Sequence, residues 1–281
     1  MLRWRIGEVT VTRIVDDTAY DLGPMILPEV TKEMLGSISW LSPHYVDADG
    51  NMILSIHGLL VETPDRKILV DTCIGNDKDL SMPAWSQRSS SFLDDLASQG
   101  GTRDAIDTVL CTHLHVDHVG FNTVLENGKW APTFRNARYL FGRKEFEYWK
   151  DEPDMVGPVF GESVQPIVDA GLAELVEMDH KVCAEVALEP TPGHTPGHVS
   201  VHIRSAGEEA VITGDMLHHP CQIARPDWTT SVDFDKEQSQ RTKREFLGRY
   251  AEQPVLVIGT HFATPTAGHI VRDGDTYRLD A

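Results

Sequence analysis

The chain has 281 residues, 41% of them hydrophobic and 24% charged, the balance of an ordinary globular protein with enough apolar residues for a sizeable core. Its 43 acidic residues outnumber 25 Lys and Arg, for a formal charge of -18; that leaves no basic face for phosphates and argues against nucleic acid or an anionic membrane as a partner. No stretch approaches the roughly 20 apolar residues that span a bilayer, and the opening MLRWRIGEVT lacks the apolar block of a secretory signal, so the expected location is cytoplasmic.

Residues 4–15, WRIGEVTVTRIV, alternate apolar and polar side chains as one half-buried strand does. Residues 53–72 repeat the signal as ILSIHGLLVET and ILVDT around the turn residues PDRK. In residues 88–99 a serine-rich start precedes Phe92, Leu93 and Leu96 on one face, and Gly100-Gly101 stop the pattern, which predicts a helix with a C-cap. The apolar run IDTVLCTH then predicts a buried strand that ends where a histidine cluster begins. ARYLFG is a strand running into GRKEFEYWK, SVQPIVDAG a short helix, and AELVEMD, VCAEVALEP, VSVHIRS and EAVITGD four more strands. In residues 235–252 Asp235 as N-cap and Gln238 three later form a capping box ahead of Phe246, Leu247 and Tyr250 on one side. PVLVIGTH is a last buried strand and HIVRDGDTYRL a closing hairpin around an Asp-Gly turn. Two runs of strands, each with helices, predict an α/β fold of two sheets face to face with helices outside. No low-complexity linker divides them, so residues 1–281 read as a single domain.

The irregular stretches 16–52, 76–87, 151–162 and 216–232 carry Met25, Ile26, Leu27, Trp40, Leu41, Met82, Trp85, Met155, Phe160 and Trp228, which is unusually apolar for loops. Such loops pack down as covers or line a pocket. Cys73, Cys111, Cys183 and Cys221 are too dispersed for a thiolate zinc site or a disulfide framework and read as buried free thiols.

Residues 111–120, CTHLHVDHVG, crowd His113, His115, Asp117 and His118 together, a costly cluster unless a partner charge binds it. TPGHTPGH at 191–198, TGD at 213–215, GTH at 259–261 and LVDT at 69–72 also place a ligand-type residue just after a strand. Strand tips ending this way can converge on one sheet edge. Imidazoles with carboxylates and no thiolate suit Zn²⁺ first, with Mn²⁺, Fe²⁺ or Co²⁺ allowed by geometry. The expected grouping is His113, His115 and His194 on one divalent ion, Asp117, His118 and His261 on a second, and Asp215 bridging both. A position left open to substrate marks such a site as catalytic.

HLHVDH followed in order by TPGHTPGH, TGD and GTH resembles the metallo-β-lactamase superfamily of dinuclear hydrolases. The resemblance covers most of the chain and implies a four-layer αββα sandwich of two mixed β-sheets. The strand GEVTVTRIVDD and the segment LVDTCIGN are most similar to the N-acyl homoserine lactonase and methyl parathion hydrolase branch, which also suggests a homodimer. Departures from other branches narrow the field. The lactamases proper lack the bridging aspartate found here as Asp215, flavodiiron proteins carry a glutamate where His115 stands, and the nucleases carry an inserted domain. The quorum-quenching lactonases place a tyrosine three residues after the bridging aspartate, where this chain has His218. His198, in the second TPGH repeat, is expected to hydrogen-bond within its loop by the same resemblance.

The implied chemistry is hydrolysis of a small molecule by a metal-bridging hydroxide, with the developing charge held by both ions. Asp117 is the expected proton carrier and His218 a second donor and substrate contact, while Asp71 takes the outer N–H of a metal histidine. Two divalent cations exceed the charge of Asp117, Asp215 and a hydroxide by about one unit, which suits a neutral ester or lactone with an apolar body. Trp85, Phe121 and Trp228 are the candidate pocket walls. An organophosphate triester is the alternative substrate, and a mononuclear iron enzyme like the persulfide dioxygenases a more distant one.

Overall fold

A computed structural model describes residues 1–152 and 156–281, so Met155 lies outside the described residues. The chain begins β1 (Arg3–Ile6), β2 (Val9–Ala19), β3 (Leu54–Glu62), β4 (Lys67–Val70) and β5 (Thr108–Leu110), with short helices α1 (Gly23–Ile26) and α2 (Lys32–Gly36) between β2 and β3 and α3 (Phe92–Ser98) before β5. After α4 (Val116–Val119) comes a separate hairpin of β6 (Thr123–Glu126) and β7 (Lys129–Pro132). Strand β8 (Arg138–Gly142), helices α5 (Arg143–Trp149) and α6 (Gln165–Asp169), and β9 (Ala173–Val176) complete a seven-stranded sheet ordered β1-β2-β3-β4-β5-β8-β9. A second sheet of six follows in chain order: β10 (Val186–Pro190), β11 (Val199–Ser205), β12 (Glu208–Ile212), β13 (Val255–Ile258), β14 (Ala267–Asp273) and β15 (Thr276–Asp280). Helices α7 (Cys221–Ala224) and α8 (Lys236–Tyr250) lie between β12 and β13.

Side-chain alternation builds the layers. Leu59, Val61, Val70 and Leu110 of the first sheet and Val201, Ile203, Ile212 and Ile258 of the second point inward into one apolar core. Leu60, Leu69, Val109 and Phe141 point outward under Phe92, Leu96 and Ile167 of the helices on that side. Val211, Val257 and Ile270 do the same beneath Phe246, Leu247 and Tyr250 of α8. Both sheets are mixed: β4, β5, β8 and β9 run parallel, as do β12 and β13, and the other pairs are antiparallel. The αββα arrangement is that expected from the sequence.

Local differences have physical causes. The predicted strand at 4–15 is a hairpin, because Gly7 adopts a positive φ and turns the chain between Ile6 and Val9, which an alternating pattern does not reveal. The hairpin β6–β7 lies in a stretch with no strong alternation. Asp235 caps α8 by accepting from Gln238 N at 2.9 Å, but the Gln238 amide donates to Thr242, so only half of the capping box forms. Three cysteines are buried, while Cys183 is half-buried. No helix among the described residues is long and apolar enough to cross a membrane.

Ile212 is fully buried in the inner core, three residues before Asp215. I212A is expected to lower unfolding free energy by about 2–5 kcal/mol, because the cavity adds to the lost transfer energy. Urea unfolding of the metal-free protein measures this; a loss below about 1 kcal/mol contradicts the inward orientation.

Candidate metal centre and adjoining cavity

Parallel β4 and β5 bring Asp71 and the histidine segment to one edge of the first sheet, and parallel β12 and β13 bring Asp215 and His261 to the matching edge of the second. Backbone bonds tie the tips together. Val199 N donates to Thr112 O at 3.1 Å, Thr72 N to His118 O at 2.7 Å, and Ser55 N to His261 O at 2.9 Å. His115 is the N-cap of α4, so Asp117 and His118 leave its first turn.

The seven expected donors meet in two groups. Ligand atoms of His113, His115, His194 and Asp215 lie within 4.8 Å of one another, and those of Asp117, His118 and His261 do likewise. Asp215 stands between the groups: Oδ2 is 3.7 Å from His113 Nε2 and 3.5 Å from His194 Nε2, and Oδ1 is 3.2 Å from His118 Nε2 and 3.1 Å from His261 Nε2. Asp117 reaches the second group with Oδ2 3.5 Å from His261 Nε2.

The outer face of each ring sets which nitrogen faces the cluster. His118 Nδ1 donates to Asp71 Oδ2 at 2.9 Å, His261 Nδ1 to Ser55 O at 3.1 Å, and His194 Nδ1 to Asp233 Oδ1 at 3.1 Å. Each Nδ1–H is thereby committed outward and each Nε2 lone pair points inward. His194 Nε2 sits 2.9 Å from His115 Nδ1, a spacing at which two lone pairs need a cation or a proton between them. His113 Nε2, His118 Nε2 and Asp215 Oδ1 are buried without any hydrogen-bond partner among the described residues. Divalent ions fit these orphaned donors, because buried polar atoms left unpaired are costly.

The electrostatics agree. Burial pushes His115 down to about 3 and His194 down to about 4, which leaves neutral imidazole nitrogens suited to a metal. Burial also opposes charge on His118, yet Asp215, Asp71 and Asp117 outweigh it and raise that group above its ordinary value. At His261 burial is likewise outweighed, by Asp215 and Asp117. The local field therefore favours positive charge at the second group.

Two supports escape the sequence patterns. Glu145 of α5 is buried, with Oε1 accepting from Trp149 Nε1 at 2.6 Å and Leu114 N at 3.3 Å, and Oε2 from Gly197 N at 2.9 Å. It joins the loop of His113 and His115 to that of His194. Asp233, the partner of His194, sits in a segment that reads only as the approach to a helix. His198 keeps to its loop through Nδ1, which donates to Thr191 O at 2.9 Å, while Nε2 accepts from Asp215 N at 2.8 Å. The Gly214 of TGD has φ +56, and a Cβ there would stand 2.5 Å from His198 Nε2, so this turn requires glycine.

A cavity of about 410 Å³ opens onto the cluster, within the size range of small-molecule sites. Asp117, His218, His115, His194, Asp215 and His261 form its polar end, and Met25, Ile26, Met82, Trp85, Trp149 and Phe234 belong to its apolar wall. Trp85 therefore lies where a pocket wall was expected, but Phe121 and Trp228 do not. Phe121 is fully buried and stacks on Phe92 with centroids 5.0 Å apart, because the turn after α4 aims it under the first sheet's helices. Trp228 packs against the core beneath α8, and its carbonyl accepts from Lys243. Trp40, Leu27 and Leu41 join that same core and Phe160 packs against the other. Tyr148, Trp149 and Phe234 are wall residues hidden from sequence reading, since α5 and the loop before α8 look like ordinary amphipathic structure. His218 Nε2 is 3.1 Å from Asp215 Oδ2, and its backbone N donates to Gln222 Oε1.

E145Q replaces an accepting oxygen with an amide that faces N–H donors. A loss of about 1–3 kcal/mol in unfolding free energy is expected, measured by urea denaturation; an unchanged midpoint contradicts the bridging role.

Residues 54–252 match the metallo-beta-lactamase superfamily. The chain is 26% identical over 185 residues to a probable metallo-hydrolase of Mycobacterium bovis, covering 59% of this chain and 58% of that one. It is 27% identical over 178 residues to an N-acyl homoserine lactonase of Bacillus cereus, covering 56% of this chain and 61% of that one. The matches thus span about three fifths of these relatives' length. Among solved structures, the dizinc quorum-quenching lactonase AidC, in complex with a product, superposes with a TM-score of 0.79 at 20% identity, over 99% of this chain and 96% of that one. With the αββα layers and the His/Asp cluster in place, the match over residues 54–252 identifies the chain as a member of the metallo-beta-lactamase superfamily.

Proposed function

We propose that the protein is a dinuclear hydrolase of neutral, apolar esters or lactones, with His113, His115 and His194 holding one divalent ion, Asp117, His118 and His261 the other, and Asp215 both. The observation that carries this reading is the apolar cavity ending on the donor cluster, with no Lys or Arg in its wall among the described residues. A polyanionic substrate would find no side-chain cation there, whereas an acyl or aryl body would bury against Met82, Trp85 and Phe234. Zinc is the proposed metal. The lactonase relatives support the substrate class, and the phosphotriester alternative shares the same neutral, apolar character.

Two divalent ions held by this cluster would supply Lewis-acid polarisation of the scissile oxygen and would lower the pKa of a water there toward neutrality. Asp117, at the cavity's polar end, orients that water and takes its proton as the new C–O bond forms. As the ester C–O bond breaks, Asp117 returns a proton to the leaving oxygen. His218 offers a second donor on the same wall, at the position of the lactonases' tyrosine. Trp85 and Phe234 exclude water from the reacting group and orient the apolar body.

D117N is expected to lower kcat on lactones or aryl esters by about 10²–10⁴-fold, with far-UV circular dichroism unchanged; rates within about twofold of wild type remove Asp117 from the mechanism. W85A is expected to raise KM for apolar esters by about 10-fold, equivalent to ~1.4 kcal/mol, with kcat little changed. An unaltered KM across a chain-length series contradicts the binding role. The same panel, extended to organophosphate triesters and to sulfur-dependent oxygen uptake with iron-loaded protein, separates the alternative chemistries by kcat/KM.

A further inference from the structure

Two of the inward-facing histidines have a carboxylate behind them, one in each donor group. Asp71 backs His118 from the end of β4, and also accepts from Thr112 N at 2.8 Å and Thr112 Oγ1 at 2.9 Å. Asp233 backs His194 from the loop before α8. Its Oδ2 accepts from Thr230 N at 3.0 Å and Ser239 Oγ at 2.9 Å, while Oδ1 accepts from His194. Behind Ser239 lies Lys243, fully buried one turn further along α8, which donates to Ser239 Oγ at 3.1 Å and to Trp228 O at 2.9 Å.

A buried ammonium is expensive unless an anion answers it, and Asp233 is the acidic group with the largest attraction to Lys243. The connection runs Lys243, Ser239, Asp233, His194, every link a hydrogen bond. The backbone reinforces it: Phe234 N donates to His194 O and Asp235 N to Gly193 O, both at 2.9 Å. Gly193 has φ +135, and a Cβ there would stand 2.4 Å from Ser239 N, so the first turn of α8 presses directly on the ligand loop. The same segment, Ser231 to Phe234, lines the cavity.

We propose that Asp233, held by Ser239 and Lys243, is the positioning residue that sets the affinity of the His113, His115 and His194 group for its ion, separately from the ion held by Asp117, His118 and His261. The proposal rests on the two-ion reading above. Asp233 acts through His194: it commits His194 Nδ1–H outward and makes Nε2 a better donor. Asp71 backs the other group directly through His118 and reaches His113 only by way of the Thr112 hydroxyl, so each ion has a different direct anchor and the two are expected to leave in steps.

The test uses full-length protein loaded with cadmium. Cadmium NMR separates an ion held mainly by imidazoles from one held by imidazoles and an added carboxylate, and a chelator titration follows each. In D233N the imidazole-rich ion is expected to weaken by about 10- to 100-fold while the other is retained; S239A moves the same ion in the same direction by less. D71N reverses the order of loss. D233N that binds both ions as wild type does, or loses both to the same extent, overturns the proposal, as does S239A affecting only the second ion. Wild-type protein that binds both ions yet hydrolyses nothing on the substrate panel defeats the hydrolase reading and leaves this inference standing.

Discussion

The constraint on which this fold turns is the burial of unpaired ligand atoms at the meeting edge of two sheets. His113 Nε2, His118 Nε2 and Asp215 Oδ1 are buried and have no hydrogen-bond partner among the described residues. The outer nitrogens of the rings are committed elsewhere, His118 to Asp71, His261 to Ser55, His194 to Asp233 and His113 to the Thr112 hydroxyl 3.1 Å from its Nδ1. Folding therefore concentrates lone pairs and negative charge in a small volume, an arrangement that costs free energy until cations enter it. Ion binding and folding are thereby linked, and the protein is expected to be more stable with its ions than without.

The sandwich explains how a chain can hold such a site. The inner core of Val, Ile and Leu joins the sheets without any polar requirement, so strand tips from both can be brought to one edge with little freedom left. Parallel pairing of β4 with β5 and of β12 with β13 aligns the tips. Inter-sheet backbone bonds, Val199 to Thr112 and Ser55 to His261, then hold the ligand loops against each other. Strand ends position the donors, while α1, the end of α5 and the loop before α8 supply much of the cavity wall, a division that allows one scaffold to serve many substrates.

The donor set was legible because its members follow strands within short motifs, and two-residue spacing on an extended tip turns His113 and His115 to the same side. Asp71 was legible for the same reason. Glu145 and Asp233 were not, because a glutamate in a helix and an aspartate before one are what any sequence shows; only the fold reveals that each faces a ligand loop. The walls were the least legible part. Trp85, Phe121 and Trp228 look alike in sequence, yet one lines the cavity and the others complete opposite cores. Which side of a loop an aromatic faces depends on contacts with distant elements. Likewise Gly7 turns one alternating run into a hairpin, since alternation reports burial and not connectivity.

The central claim is that this cage holds two cations with Asp215 between them. An anomalous-difference map from crystals of zinc-loaded protein, collected at the zinc edge, tests it most directly. The account predicts two peaks, one among His113, His115 and His194 and one among Asp117, His118 and His261, both within coordination distance of Asp215. A single peak, or density remote from either group, would contradict it.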